Sequence, residues 1–261
     1  MMDKSKIEKY GDELYDALIN RKAVAPLTDR EADITIEDAY QIQQRMIQRR
    51  LDAGETIIGK KIGVTSKVVM DMLKVSQPDF GMMTSGMVFN EGESIDTSTM
   101  IAPRAEAEVA FVLKSDLMGP GVTAADVLRA TDFVVPCFEI VDSRIQDWKI
   151  KIQDTVADNA SCGVLVLGGR RKSPADIDLA LAGMVLEKNG EIISTSTGAA
   201  VQGSPVNAVA WLANTLGNLG IGLKAGEVIL SGSQSPLVPV KAGDSLVCNV
   251  GGLGGTSVRF I

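Results

Sequence analysis

Histidine does not occur in the 261-residue sequence. Its absence removes Ser-His-Asp and Cys-His catalysis, histidine-ligated zinc and any imidazole base. Acid–base chemistry must then fall to Lys, Asp, Glu, Tyr, Cys or a metal-bound water. Cysteine is scarce, and Cys137, Cys162 and Cys248 stand apart and are odd in number. That excludes a disulfide framework or a cysteine-rich zinc site and leaves small buried thiols. Aromatic residues make up 4% of the chain, so stacking platforms are few. There is no basic run, and a formal charge of -7 gives no electrostatic footprint for nucleic acid. DNA and RNA are excluded as partners on that ground. No apolar run approaches the roughly 18 residues that a membrane-spanning helix needs. The N-terminal stretch MMDKSKIEKYGDELYDALIN is charged and amphipathic and lacks the apolar core of a signal peptide, so a cytoplasmic protein without a membrane partner is expected.

What is present has a globular composition, 45% hydrophobic and 23% charged. Two helical signals open the chain, one over about residues 5–20 and one capped by Thr35 with Asp38 three residues on. In the second, Ile36, Tyr40, Ile47 and Leu51 share a face before Gly54 stops the helix. Residues 1–55 therefore read as a peripheral helical extension. From residue 56 the pattern turns to short β-rich runs, TIIGKKIGV, MVFN, EVAFVL, FVVPCFEIV and GVLVLG, with short helices after Ser66 and Thr123. Asn189-Gly190 between two apolar runs predicts a hairpin, and Ser204-Pro205 opens a helix with an apolar stripe at Val206, Val209, Ala210, Ala213 and Leu216. GGLGG precedes a terminal strand rather than a helix, so it is turn material and not a phosphate loop. Strands and helices do not alternate regularly, which argues against a doubly wound parallel sheet. The expectation is an α+β protein with a mixed, sandwich-like or rolled β core over residues 56–261, working as one unit.

The chemistry concentrates in carboxylates. In RAEAEVAFVL, Glu106 and Glu108 sit two apart at the start of a strand, so both point to one face at roughly 7 Å spacing. Surface glutamates with that spacing are common, but Glu139 lies inside VVPCFEIVD, where an ionised group is costly unless a cation compensates it. Three carboxylates without His or paired Cys form an oxygen-only site, which favours Mg²⁺ or Mn²⁺. A small 2-oxo acid suits such an ion, because its carboxylate and keto oxygen can chelate it together. Other positions stay open at this level. Adjacent Lys60 and Lys61 are expected to be solvated, although the glycines beside Lys61 permit close approach of a ligand. Asp79 in SQPDFG reads as a turn residue after Pro78. Asp158, Asn159 and Ser161 of VADNAS suit a polar pocket wall or an Asx turn.

Together, GKKIGVTSK, QPDFG, PRAEAEVAFVL, the block from Phe138 to Gly163, MVLEKNGEIISTSTGAA, GSPVNAVAWLANTLG and AGEVILSGS resemble the 2-oxopent-4-enoate hydratases of aromatic meta-cleavage pathways. These belong to the hydratase and decarboxylase group of the fumarylacetoacetate hydrolase superfamily. The resemblance covers nearly the whole chain from about residue 10. It implies a mixed β roll with helical additions, a metal on Glu106, Glu108 and Glu139, and an active-site lysine at Lys61. It also implies that Ser161, with the backbone of VADNAS and its Asp158 and Asn159, contacts the substrate carboxylate. The related 4-oxalocrotonate decarboxylases share the four metal and lysine positions but tend not to carry the acid of QPDFG. Asp79 therefore tips the expectation to hydration of 2-hydroxypenta-2,4-dienoate, with Lys61 and Asp79 as its catalytic pair. The resemblance further implies a homo-oligomer and admits a complex with 4-oxalocrotonate decarboxylase. Three alternatives remain: the decarboxylase itself, a non-catalytic partner subunit of it, and an acylpyruvate hydrolase. A scaffold has no need of buried charge, which weighs against the second. The absence of histidine weighs against the third.

Overall fold

A computed structural model of the chain describes residues 2–261, and the side chains of all of these except Val68, Met72 and Leu73. Helix α1 (Lys4–Asn20) is followed by a single turn, α2 (Leu27–Arg30), and by α3 (Ile36–Asp52). The Thr35 hydroxyl accepts from Asp38 N and the Asp38 carboxylate accepts from Thr35 N, the capping box that sets the start of α3. The buried face of α3 is centred on Ala39, Ile42, Gln43, Met46 and Ile47, while Ile36, Tyr40 and Leu51 are only half-buried. The apolar stripe is thus rotated from the expected one, because Gln43 and Arg50 take interior positions. Gln43 Nε2 donates to Phe80 O at 2.9 Å and to Val156 O at 3.1 Å. Tyr40 stacks on Phe80 with ring centroids 4.4 Å apart. Far from being peripheral, α3 braces the strand that carries Asp79.

Strand β1 (Ile57–Gly63) leads through α4 (Lys67–Leu73), capped by Ser66, to β2 (Asp79–Thr84). Strands β3 (Val88–Asn90) and β4 (Ser94–Ile95) precede β5 (Arg104–Leu113), α5 (Ala124–Ala130), β6 (Thr131–Val141), α6 (Ile152–Ala157) and β7 (Cys162–Leu167). The hairpin β8 (Gly183–Lys188) and β9 (Glu191–Thr197) turns on Asn189 and Gly190, both at positive φ, as a two-residue primed turn requires. Helix α7 (Pro205–Asn218) and strands β10 (Val228–Leu230), β11 (Val238–Pro239), β12 (Ser245–Val250) and β13 (Gly254–Phe260) complete the chain.

The strands form two mixed sheets, one ordered β2-β1-β10-β5-β6-β7-β3 with β11 also on β5, the other β4-β13-β12-β8-β9. The main core lies between them and α7, whose five predicted stripe residues are all buried. Each fully buried Val or Leu side chain there contributes about 1.5–3 kcal/mol relative to an exposed one. A second cluster joins α1 and α3 to Ile145, Val156 and Ala157. The three cysteines are free and buried, as expected. Among the described residues no helix is long and apolar enough to cross a membrane.

Candidate metal centre and active site

Strands β5 and β6 run antiparallel with Glu106 directly opposite Glu139 and Glu108 opposite Cys137. Opposed residues of a ladder share a face, so this register turns a two-residue spacing on one strand into a three-carboxylate cluster across two. One carboxylate oxygen of each glutamate lies within 4.8 Å of those of the other two. Glu139 and Glu108 are 0% and 1% exposed, and Glu106 is half-buried. Glu108 Oε2 accepts from Gly232 N at 2.8 Å. Glu108 Oε1 and both oxygens of Glu139 are buried without a hydrogen-bond partner among the described residues. Unfilled lone pairs on packed carboxylates are expensive without a cation. The donor set therefore fits a hard divalent ion. Burial and the neighbouring Glu139 push Glu106 up to about 7, and burial with the same neighbours raises Glu108 well above the usual carboxylate range.

Lys61 comes from the adjoining part of the sheet. In β1 it pairs with Leu230 of β10 and with Gly81 of β2, and its Nζ stands 3.3 Å from Glu139 Oε1. The contact is an ion pair rather than an aligned hydrogen bond, since Glu139 keeps unfilled lone pairs. Burial pulls the Lys61 ammonium toward neutrality, but Glu139, Asp79 and Glu106 outweigh it and hold it charged. The expected solvation of the two lysines is therefore wrong, both being 3% exposed. Lys60, on the opposite face, is paired with Glu227. Asp79 is likewise no turn residue. It opens β2, faces Gly63 in the β1 register, and both its oxygens are buried without a hydrogen-bond partner among the described residues. Burial raises its carboxyl, against the opposing pull of Lys61. Lys61, Asp79, Glu106 and Ser161 all line one cavity of about 440 Å³.

The family model described as fumarylacetoacetate (FAA) hydrolase C-terminal matches residues 60–260, which include every one of these side chains. The chain belongs to the fumarylacetoacetate hydrolase family. It is 58% identical over 262 residues, covering 100% of this chain and 99% of the relative, to a 2-hydroxyhexa-2,4-dienoate hydratase of Comamonas testosteroni. It is 65% identical over 221 residues, covering 84% of this chain and 100% of the relative, to a 2-hydroxypent-2,4-dienoate hydratase of Pseudomonas putida. These identities place the chain among hydratases, enzymes of the hydro-lyase class. In three dimensions it matches a 4-oxalocrotonate decarboxylase from Pseudomonas putida G7, complexed with magnesium and adipate, with a TM-score of 0.97 at 36% identity over 100% of this chain and 99% of that one. The full-length matches take in α1 to α3, which lie outside the span of the family model.

Two expected wall residues do not reach the cavity. Asp158 is fully buried behind it, where its carboxylate accepts from Arg144 Nε, from Arg144 N at 3.0 Å and from the Ser143 and Ser161 hydroxyls. Asn159 is also fully buried and clamps β2, accepting from Met82 N and donating to Met82 O at 2.8 Å each. Their polarity serves the loop, in which Asn159, Ala160 and Ser161 all adopt positive φ, and of its three polar residues Ser161, beside Ala160, lines the cavity. Sequence reasoning also missed residues that do line it, chiefly Arg104, Trp148, Thr155, Ser233 and Ser235. For Arg104 the signal was present, because the R-x-E-x-E spacing puts it on the same strand face as Glu106 and Glu108. The others come from the short helix α6 (Thr155), a single helical turn (Trp148) and a loop (Ser233 and Ser235), pieces too short or irregular for periodicity to point inward.

Proposed function

We propose that the chain adds water to 2-hydroxypenta-2,4-dienoate (2-oxopent-4-enoate) to give 4-hydroxy-2-oxopentanoate, with Mg²⁺ or Mn²⁺ on Glu106, Glu108 and Glu139, in the catabolism of aromatic meta-cleavage products. The observation that carries the reading is the cluster of three glutamates, unfilled lone pairs among them, which meets the cavity at Glu106 beside Lys61 and Asp79 and touches Lys61 again through Glu139. The names of the hydratase relatives support the substrate class. A divalent ion at the triad supplies Lewis acidity toward the 2-oxygen of a 2-oxo acid.

The chain's own residues do the rest. Lys61, kept cationic by its carboxylate neighbours, stabilises negative charge that develops on the substrate oxygens. Asp79, with both oxygens unfilled and its proton affinity raised by burial, orients water for addition at C4 and takes and returns a proton. The Ser161 hydroxyl, on the cavity wall, would donate to the substrate by turning away from the Asp158 carboxylate. Helix α3, through Gln43 and Tyr40, keeps β2 and so Asp79 in place, which makes residues 1–55 and 56–261 one working unit.

The match to the decarboxylase structure favours a second reading, loss of carbon dioxide from 4-oxalocrotonate at the same triad. Supplying the purified protein and Mg²⁺ with each substrate separates them. Hydration of the dienoate without carbon dioxide release from 4-oxalocrotonate is expected, and the reverse pattern would transfer the assignment to the decarboxylase.

A further inference from the structure

Arg104 is the one cavity residue whose charge the reaction as proposed leaves unused. It stands two residues before Glu106 on the same face of β5, so the face runs from buried Glu108 through half-buried Glu106 to half-buried Arg104. Its guanidinium lies 4.4 Å from the centroid of the Trp148 ring, and no acidic side chain pairs with it at 4.0 Å or less among the described residues. The platform is itself fixed. Trp148 Nε1 donates to Ala102 O at 3.0 Å, and the Asp142 carboxylate accepts from Ile101 N and Ala102 N, holding the segment that leads into Arg104. A stacked, planar cation facing a cavity is pre-organised for a carboxylate.

Charge balance gives it a purpose. Glu106, Glu108, Glu139 and Asp79, when ionised, set against Lys61 and a divalent ion, leave the site one net negative charge. An anionic substrate would be repelled from it. Arg104 cancels that charge. We infer that Arg104 binds the C1 carboxylate of the 2-oxo acid and so decides which end of the substrate enters against the triad; the inference rests on the metal and 2-oxo-acid reading above. The C1 end is favoured over the far end because Arg104 adjoins Glu106 on one strand, and because the dienoate named for the relatives carries its only charge there.

The test is calorimetric titration of pyruvate and of 2-oxoadipate into the Mg²⁺-loaded protein, beside a titration of Mg²⁺ alone. Arg104→Gln should weaken both 2-oxo acids about 10- to 100-fold, the loss expected for a charge-assisted pair, and leave Mg²⁺ binding unchanged. With the dienoate, KM should rise far more than kcat falls. Arg104→Lys, which keeps the charge without the fork, should fall between, and it serves as the measured variant if the Gln protein does not fold. Unchanged pyruvate affinity would overturn the inference, and so would a loss confined to 2-oxoadipate, which would put Arg104 at the far end. Wild-type protein that binds pyruvate with Mg²⁺ but does not hydrate the dienoate would sink the hydratase reading and leave this one standing.

Discussion

Gly63 and Asp79 face each other across the β1–β2 ladder, and a Cβ placed on Gly63 would stand 2.2 Å from Asp79 Oδ1 and 3.3 Å from Lys61 Nζ. The missing side chain of Gly63 is the space in which the Asp79 carboxylate rests beside Lys61. Gly63→Ala should therefore displace the acid while leaving the ladder paired. A misplacement of about 1 Å can cost roughly 100-fold in rate, so kcat should fall by about one to two orders of magnitude with little change in melting temperature. Steady-state kinetics beside thermal unfolding would show it, and wild-type kcat would mean that the position of Asp79 does not matter.

Asp79→Asn removes the group proposed to transfer the proton. Hydration should drop by roughly 10²- to 10⁴-fold, with Mg²⁺ affinity nearly unchanged because Asp79 is not one of the three clustered glutamates. Lys61 and the triad remain, so exchange of substrate C–H protons with solvent, followed by NMR in D₂O, should continue as hydration slows. Loss of both together would move Asp79 to the earlier proton transfer.

Asp158 offers a contrast between support and chemistry. Arg144 and Asp158 are both 0% exposed, and Asp158→Ala would strand the arginine charge in the interior. Breaking a buried pair in this way costs about 3–5 kcal/mol. Denaturant unfolding should report that loss. Unchanged stability with a raised KM would return Asp158 to the substrate wall.

The glutamate triad was legible in the sequence because a two-residue strand spacing and an acid in an apolar run are local signals. The β5–β6 register that unites them was not, since pairing across strands is a tertiary outcome. Strand β2 escaped notice because Asp79 and Gly81 have low strand propensity, which the ladder to β1 overrides. Gly81 is even required there, a Cβ on it falling 2.5 Å from Asn159 O. The lysines misled for a related reason: their burial depends on Glu227 and Glu139, 167 and 78 positions away in the chain. Helix α3 was recognised from its cap, but its function as a brace for β2 rests on Gln43, a polar residue that pattern reading assigns to the surface.

The metal-free protein should show a pH dependence opposite to that of an ordinary ion-paired acid. Folded Glu106 holds its proton up to about 7, above the value of 4.5 for the free side chain, so between these the folded state binds more protons than the unfolded one. Stability then falls as pH rises from about 4.5 to about 7 and levels beyond it, where the carboxylate is ionised in both states. Chemical denaturation across that range in the presence of EDTA should show a decline that Glu106→Gln reduces. An identical slope in the variant would mean that Glu106 carries no burial penalty.

The proposed hydration requires an ion on Glu106, Glu108 and Glu139. Stripping the protein with EDTA and following 2-hydroxypenta-2,4-dienoate consumption before and after adding back Mg²⁺ or Mn²⁺ tests it most directly, with Glu106→Gln as the paired variant. Activity should vanish on stripping, return in the wild type with either ion, and stay absent in a Glu106→Gln protein whose circular dichroism is unchanged. Hydration that survives EDTA, or a fully active Glu106→Gln, would show that the reaction needs no ion on the triad.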